Sequence, residues 1–381
     1  MKLIPYGAQY VDKEDILAVK KVLKEDKITT GVQVERFERK LNNFLGVKFS
    51  SVCNSGTSAL FLALKSIGIK KDDIIIMPSI TFVASYNVAK YLGARVFLAD
   101  IDKLTGQMLP DNVLKCCKHF KIKKIKALIL MYNGGYPLNA GNFLKLKKQL
   151  GCYIIEDACH ALGAEYKFQN KFFKIGSCKH CDISTFSLHP IKSITTGEGG
   201  IVTTNSNKLN NKIKLLRSHG ILRNKNKHWK YNVIYHGLNF RLNDFQCALG
   251  ISQLNKIKKF ILKRKEISKK YDKELKSIKK INLLINKQNL KPSYHLYFIK
   301  LKSNSLLEKE KLIKFMLKKK ILLQYHYIPL YRFKIFRDKY LNRNAEIYYK
   351  STVSLPIYYS LKLSEQNYII NNLKKFFLKN G

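Results

Sequence analysis

The sequence predicts an α/β fold in which helices cover both faces of a mostly parallel sheet. Short apolar or β-branched runs recur along the first half of the chain, with helical stretches between them. This alternation is typical of β-α-β units, whose strands are buried on both faces. The notable polar residues follow the ends of these runs, where such sheets bind ligands. The seven predicted strands are Phe49–Cys53, Ile74–Met77, Arg95–Ala99, Ala127–Met131, Cys152–Ile155, Ile183–Ser187 and Gly200–Thr204.

The pattern changes after Asp244. A Lys-rich amphipathic stretch from Phe245 to about Leu275 predicts one long helix, and the remainder predicts a smaller α+β region with strands near 295–300 and 321–325. We therefore expect an N-terminal arm and a large domain over residues 1–245, then a connecting helix and a small domain over 246–381. The arm and first helix, residues 1 to about 30, together end at the turn Thr30-Gly31. A chain of 381 residues can bury two such cores.

The chain is strongly basic, with 71 Lys and Arg against 26 Asp and Glu, a net charge of +45. Such an excess favours anionic partners, including nucleic acid. The lysines are scattered in short groups, however, and no helix-turn-helix, zinc-finger or aromatic RNA-binding signature accompanies them. A nucleic-acid-binding protein is therefore the alternative from a different class, which salt-dependent gel shifts would test. We expect no specific nucleic acid as a partner.

Neither membrane insertion nor a metal site is predicted. No apolar run is long enough to span a bilayer and no signal-peptide core is present, so we expect a cytoplasmic protein. Cys178-Lys-His180-Cys181 has CxxC spacing, but no second pair matches it. Reduced thiols are the expectation for the eight cysteines.

Lys192 is the candidate catalytic residue. It follows the predicted strand that ends at Ser187 and precedes the Gly-rich turn at 195–200. A lysine fixed between two strands is a candidate Schiff-base nucleophile, because desolvation lowers its pKa and frees the lone pair. Lysine is abundant here, so a solvated surface charge is the alternative.

Two further segments point to the same kind of chemistry. Asp157 follows an apolar run, and a buried carboxylate there needs a cationic partner, such as a protonated pyridine nitrogen. A helix cap or a surface ion pair is the alternative for Asp157. Gly56 and Thr57 open an Ala/Leu-rich helix whose free N–H groups can hold a phosphate, to which Ser187 would add a hydroxyl. An ordinary helix cap is the alternative for that segment.

These residues resemble the DegT/DnrJ/EryC1/StrS family of sugar aminotransferases that depend on pyridoxal 5'-phosphate (PLP). The resemblance covers almost the whole chain and implies the fold of PLP-dependent transferases of fold type I, with a seven-stranded sheet. Within the family, the chain is similar to the branch that aminates C4 of a UDP-linked 4-keto-6-deoxy sugar in pseudaminic acid synthesis. The motifs that carry the resemblance are Ile4-Pro5-Tyr6-Gly7, His189 to Thr196, Arg217-Ser218-His219-Gly220, His326-Tyr327-Ile328-Pro329 and Ser354-Leu355-Pro356.

The resemblance implies a role for each site residue. Lys192 would form a Schiff base with PLP and shuttle protons, and Asp157 would contact the pyridine nitrogen, with His160 near the ring hydroxyl. Phe82 would stack on the ring, while Asn239 and Arg241 would reach the cofactor phosphate of the other subunit in a homodimer with shared sites. The residues that would bind the substrate, with Arg241, are Tyr6, Asp26, Lys27, Ile28, Thr29, Gln324, Tyr325, His326 and Tyr327.

The residues by themselves leave plainer alternatives open. Phe82, His160 and His326 are equally compatible with core positions, and Asn239-Phe240-Arg241 with a loop before a helix.

The implied reaction moves the amino group of L-glutamate to C4 of a UDP-2-acetamido-2,6-dideoxy-4-keto-hexose. Related dehydratases carry His at the position of Lys192, so the lysine favours transamination. An aminotransferase for another nucleotide-linked keto sugar, at C3 or C4 and including the perosamine type, is the nearest alternative.

Overall fold

The computed structural model describes residues 2–224, 226–227, 229–284, 290–336 and 342–379. The helices are α1 (Lys13–Val22), α2 (Val32–Leu45), α3 (Gly56–Ser66), α4 (Val83–Tyr91), α5 (Pro110–His119), α6 (Phe143–Leu150), α7 (Asn207–Leu216), α8 (Asp244–Leu275), α9 (Leu306–Lys318), α10 (Arg343–Ser351) and α11 (Leu363–Lys379). The strands are β1 (Phe49–Cys53), β2 (Ile74–Pro78), β3 (Arg95–Ala99), β4 (Ala127–Met131), β5 (Tyr153–Asp157), β6 (Glu165–Phe168), β7 (Lys171–Lys174), β8 (Ile183–Ser187), β9 (Gly200–Thr204), β10 (Ile221–Arg223), β11 (Tyr231–Val233), β12 (Ile281–Leu283), β13 (Leu290–Lys291), β14 (Tyr297–Leu301) and β15 (Thr352–Leu355).

The seven predicted strands form one sheet, in the order β1-β9-β8-β5-β4-β2-β3. Strands β8, β5, β4, β2 and β3 run parallel to one another, whereas β9 is antiparallel to both β1 and β8. The predicted α/β class with a mostly parallel sheet is confirmed. Asp157 pairs with Met131 on one side and Thr185 on the other, so neighbouring strands end at one edge.

The strands read as continuous apolar runs because the sheet is buried on both faces. In β4, Leu128 and Leu130 pack in one core while Ile129 packs in the core on the opposite face. Alternate side chains of a strand point to opposite faces, so both sets must be apolar when helices cover both.

The long predicted helix is present as α8 and leads to the smaller three-stranded sheet β12-β14-β15. This sheet packs with α9 and α11 around a third core that includes Tyr271, Leu312 and Ile369. Within the described ranges, none of the helices combines the length and apolarity that crossing a bilayer requires.

One predicted strand is wrong. The segment 321–325 forms only isolated bridges, from Ile321 to Ile4 and from Gln324 to Ser354. The backbone partner of this segment therefore changes from the N-terminal arm to β15 within three residues. Tyr325, at the end of the segment, then forms part of the wall of a cavity. A strand needs a continuous partner, which this segment lacks.

Candidate active site

A cavity of about 590 Å³ lies at the carboxyl ends of the parallel strands, between the large sheet and the segment 324–333 of the smaller region. Ligands bind at this edge of open α/β sheets. Twelve of the eighteen predicted site residues line the cavity: Tyr6, Gly56, Thr57, Phe82, Asp157, His160, Ser187, Lys192, Gln324, Tyr325, His326 and Tyr327.

One end of the cavity is the N-terminus of α3. Ser55 caps the helix by accepting a hydrogen bond from the Ser58 amide at 3.0 Å, and the first intrahelical bond runs from Ala59 N to Ser55 O. The amides of Gly56 and Thr57 precede that bond. A Cβ on Gly56 would lie 2.8 Å from the Cβ of Ser187, so only glycine allows the helix to approach β8 this closely. Backbone N–H groups and two hydroxyls therefore converge on a site suited to a phosphate.

Asp157 lies at the last position of β5 and is buried. Its Oδ2 accepts a hydrogen bond from Ser85 Oγ at 2.8 Å, and its Oδ1 accepts one from the Cys159 amide at 3.3 Å. Both donors are neutral, so the carboxylate has a place for a cationic ligand in the cavity. Ionised groups are retained inside proteins when such a partner is present.

Lys192 follows β8 in a turn held by backbone bonds, with Lys192 N donating to His189 O at 2.9 Å and Thr196 N to Leu188 O at 3.0 Å. Burial lowers the pKa of Lys192, against the opposing influence of the Cys159 thiol and the Asp157 carboxylate. A lysine with a lowered pKa supplies the neutral amine that attacks a carbonyl.

His160 lies deeper in the same wall and is neutral. The Gly134 amide donates to its Nδ1 at 3.3 Å, so the ring proton is assigned to Nε2, which lies 3.0 Å from the Tyr327 hydroxyl. Burial, together with the positive charge of Lys192, lowers the pKa of His160 well below its ordinary value.

His326 is held by a different partner. Its Nδ1 lies 2.8 Å from Ser354 Oγ, and burial and then the charge of Lys192 lower its pKa to about 3. Both histidines therefore contribute neutral rings to the cavity, as hydrogen-bonding rather than charged groups.

Phe82 occupies the residue before α4 and is 52% exposed, although its neighbours Thr81 and Ala84 are buried. Its ring lies 5.8 Å from that of Tyr327. An exposed ring in a cavity wall offers a stacking surface for a planar ligand.

Six predicted residues lie outside the described lining of the cavity. Asp26, Lys27, Ile28 and Thr29 form a segment whose last two residues contact the segment 239–244: Thr29 bridges to Asn243, and the Asp244 amide donates to Ile28 O. Asn239 and Arg241 belong to that second segment, and Arg241 Nη1 donates to Ser218 Oγ at 3.2 Å. We refer to residues 26–29 and 239–244 together as the loop pair.

Some lining residues were missed by the sequence analysis. Cys159 lies between Asp157 and His160, and its place after the predicted strand could have indicated it. Thr81 belongs to the segment that contains Phe82, and its buried hydroxyl has no hydrogen-bond partner in the described structure. Ile328 belongs to the motif His326-Tyr327-Ile328-Pro329, which could have indicated it, whereas Phe333 carries no signal in the sequence because only the tertiary fold brings it to the cavity.

These features fit pyridoxal phosphate. Its phosphate matches the cradle of Gly56, Thr57 and Ser187, its charged ring nitrogen matches Asp157, and its ring face matches the exposed Phe82. Lys192 supplies the amine that would bond to its aldehyde, and the unpartnered Thr81 hydroxyl indicates a polar ligand nearby.

Comparison with known proteins agrees with this chemistry. Residues 9–374 match the model of the DegT/DnrJ/EryC1/StrS aminotransferase family. A relative from Campylobacter jejuni subsp. jejuni serotype O:23/36, the UDP-4-amino-4,6-dideoxy-N-acetyl-beta-L-altrosamine transaminase, is 38% identical over 97% of this chain and 96% of its own.

Solved structures show the same similarity. Helicobacter pylori PseC, an aminotransferase involved in the biosynthesis of pseudoaminic acid, superposes with a TM-score of 0.92 at 33% identity, over 99% of this chain and 100% of that chain. The PLP form of the putative sugar aminotransferase Spr1654 from Streptococcus pneumoniae has a TM-score of 0.89 at 25% identity, over 99% of both chains.

Proposed function

Because the chain belongs to the DegT/DnrJ/EryC1/StrS family of PLP-dependent sugar aminotransferases, we propose that it transfers the amino group of L-glutamate to C4 of a UDP-2-acetamido-2,6-dideoxy-4-keto-hexose. The product would be the 4-amino sugar that leads to pseudaminic acid, made in the cytoplasm. The observation that carries the chemistry is the half-buried Lys192, which lines one cavity together with Asp157 and the cradle of Gly56, Thr57 and Ser187. The names of the Campylobacter and Helicobacter proteins support the choice of sugar.

When bound, PLP supplies the electron sink that makes the proton transfers feasible. Lys192 removes the proton from Cα of glutamate and, in the second half of the reaction, delivers a proton to C4 of the sugar. Burial keeps a fraction of its amine neutral, which proton abstraction requires.

The other residues hold the cofactor in place. Asp157 keeps the ring nitrogen protonated, since a buried carboxylate stabilises an adjacent cation. Gly56, Thr57 and Ser187, which line the cavity, would hold the phosphate, and Phe82 would pack on the ring. The neutral His160 orients its Nε2–H toward the Tyr327 hydroxyl and so fixes the wall near the ring.

We propose that the active unit is a homodimer in which the loop pair of one subunit completes the cavity of the other. Lys192 is the only Lys or Arg among the described lining residues, whereas a diphosphate sugar and glutamate each bring negative charges. Lys27 and Arg241 of the loop pair are the cations we assign to the site of the neighbouring subunit. Exposed apolar side chains near these segments indicate a protein interface: Ile16, Leu17, Ile28, Val32, Leu222, Tyr231 and Val233.

The test is made in two stages. Purified holoenzyme is first mixed with glutamate, and the cofactor absorbance should shift to that of the pyridoxamine form without any sugar. The same enzyme is then given UDP-linked and GDP-linked keto sugars, with the products resolved by NMR. A 4-amino product from the UDP-linked 4-keto sugar is expected. Amination of only another keto sugar would contradict the substrate, and no shift with glutamate would contradict the aminotransferase activity.

A further inference from the structure

Lys309, on α9, is a fully buried lysine that the mechanism above does not use. Its Nζ donates to the carbonyl oxygen of Tyr349 and lies 3.5 Å from that of Thr352. Over the described ranges, no carboxylate lies within ion-pair distance of this ammonium. Fully buried lysines are rare unless they are paired with a carboxylate, so the burial of Lys309 without such a partner needs an explanation.

The ammonium is enclosed by two aromatic rings, and we refer to Lys309, Tyr325 and Tyr349 together as the cage. Lys309 Nζ lies 3.9 Å from the centroid of the Tyr325 ring and 4.4 Å from that of the Tyr349 ring. The two rings meet edge to face, with centroids 5.7 Å apart and planes at 83°. Cation–π attraction is strongest when water is excluded, as it is here.

The two rings differ in how they are held. Tyr349 also contacts Arg332, whose guanidinium carbon lies 5.0 Å from the ring centroid. Arg332 in turn forms a two-pronged pair with Glu346, at 2.8 and 2.5 Å. The Tyr349 side of the cage is therefore anchored by an ion pair.

Tyr325 is the cage residue that lines the active-site cavity. Its amide donates to Gln324 Oε1 at 2.8 Å, and its ring faces Lys309 and Tyr349. Loss of the ammonium would leave the ring with an edge contact to Tyr349, so its orientation in the cavity wall depends on Lys309.

We propose that Lys309 is a positioning residue for the sugar nucleotide, because it holds the Tyr325 ring in the orientation that forms one wall of the substrate site. The inference rests on the proposed function, in which Tyr325 contacts the sugar nucleotide. Lys309 itself does not line the described cavity, and it acts on the substrate through Tyr325.

The cage also makes substrate binding sensitive to pH. Burial lowers the pKa of Lys309 to about 7, with Glu310 opposing and Arg332 reinforcing the shift. The two tyrosines stay neutral, since burial raises the pKa of both, and Glu346 stays ionised because its contacts lower its pKa. As pH rises through about 7, Lys309 loses its charge and the attraction for Tyr325 is lost. The KM for the sugar should therefore rise with pH in this window.

The experiment measures KM for the sugar nucleotide, and separately the rate of the glutamate half-reaction, in four variants of the holoenzyme. Lys309→Met should raise KM about tenfold, and leave the half-reaction with glutamate unchanged. Lys314→Met, an exposed lysine on the same helix, is the matched control and should change neither. Tyr325→Leu should raise KM as Lys309→Met does, whereas Tyr325→Phe keeps the ring over the ammonium and should raise KM less than Tyr325→Leu.

The double variant Lys309→Met/Tyr325→Leu separates positioning from a general packing defect. If Lys309 acts through Tyr325, the double variant should show the KM of Tyr325→Leu alone. Should Lys309→Met fail to fold, the pH dependence of the wild-type KM, and its absence in Tyr325→Leu, test the same coupling.

A KM that is unchanged in Lys309→Met, or additive effects in the double variant, would overturn the inference while leaving the proposed function intact. A wild-type enzyme that reacts with glutamate but aminates no keto sugar would overturn the proposed function, and this inference with it.

Discussion

The active-site cavity and the loop pair differ in how far contacts within one chain provide partners for their side chains. In the cavity, Asp157, His160 and His326 each have hydrogen-bond partners within the same chain, and the phosphate cradle is closed by Gly56 against Ser187. The loop pair is fixed to the start of α2 through Asp244, whose carboxylate accepts from the Gly31 and Gln33 amides at 2.7 and 2.9 Å. It nevertheless exposes the side chain of Ile28, and Val32 nearby in α2 is exposed as well.

This difference indicates a division of labour. Under the proposed function, the cavity would provide groups that act on the cofactor, and contacts within one chain arrange them. The loop pair is anchored through Asp244 and exposes Lys27 and Ile28, as a contribution to a neighbouring subunit would require.

The largest expected effect is in the cavity, at Lys192. Lys192→Ala removes the proton-transfer group, so the glutamate half-reaction should slow by at least about 10³-fold. Stopped-flow absorbance measures the rate, and borohydride trapping with peptide mass mapping should label this lysine in the wild type. Lys179→Ala, an exposed lysine before the same strand, should react normally. Label on another lysine would contradict the assignment.

Asp157→Asn comes next. It keeps the shape of the side chain but removes the charge that stabilises a protonated ring nitrogen, so the half-reaction should slow by about 10²-fold. Ser85→Ala is the control, because it removes only the neutral hydrogen bond to Asp157 and should cost less than about tenfold. Equal losses in the two variants, measured by stopped flow, would show that the negative charge is not the important property.

The loop pair can be tested by subunit mixing. An Asn239→Ala/Arg241→Ala variant and Lys192→Ala should each be weakly active alone. Heterodimers can be isolated by placing a different tag on each subunit. One of their two sites would combine the intact cavity of the Asn239→Ala/Arg241→Ala subunit with the intact loop pair of the Lys192→Ala subunit. Such heterodimers should regain about half of the wild-type activity per dimer. Heterodimers no more active than their parents would exclude shared sites.

Asp244→Asn should have a smaller effect, on stability. It weakens the hydrogen bonds to the amides at the start of α2 and should cost about 1–2 kcal/mol in the free energy of unfolding, measured in urea. Asp111→Asn, in the exposed first turn of α5, is the control and should cost less than about 1 kcal/mol. If the two variants lost equal stability, Asp244 would not anchor the loop pair.

A further expected effect concerns pH. The folded pKa of His326, about 3, lies below its ordinary value of 6.5, so the unfolded chain takes up the proton first as pH falls. The contribution of His326 to stability is therefore complete above pH 6.5 and is lost toward pH 3. Urea unfolding across this range should show a shallower pH dependence in His326→Gln than in wild type, and an unchanged slope would contradict the buried neutral ring.

Much of the large sheet could be predicted from the sequence, because a strand buried on both faces must be apolar throughout. Each of the seven runs became a strand with ends that moved by at most two residues, as when Cys152–Ile155 became Tyr153–Asp157. The segment 321–325 has the same composition but forms no strand, because composition does not say whether a neighbouring strand is available.

The smaller strands were not predicted for a related reason. The hairpin of β10 and β11 is largely exposed, and β6, β7 and β13 form a small sheet of short strands. Such strands have no buried face long enough to produce a clear alternation of apolar and polar residues.

The sequence by itself determined the sheet and the residue types at its carboxyl edge, since burial and strand order restrict which side chains can stand there. Only the tertiary structure decided which of them meet. It brought Gly56 against Ser187, hydrogen-bonded His160 to Gly134 and Tyr327, enclosed Lys309 between two tyrosines and left the loop pair outside the described lining of the cavity. The physical reason is that these contacts join residues far apart in the chain, and their strength depends on distances and burial that the order of residues does not contain.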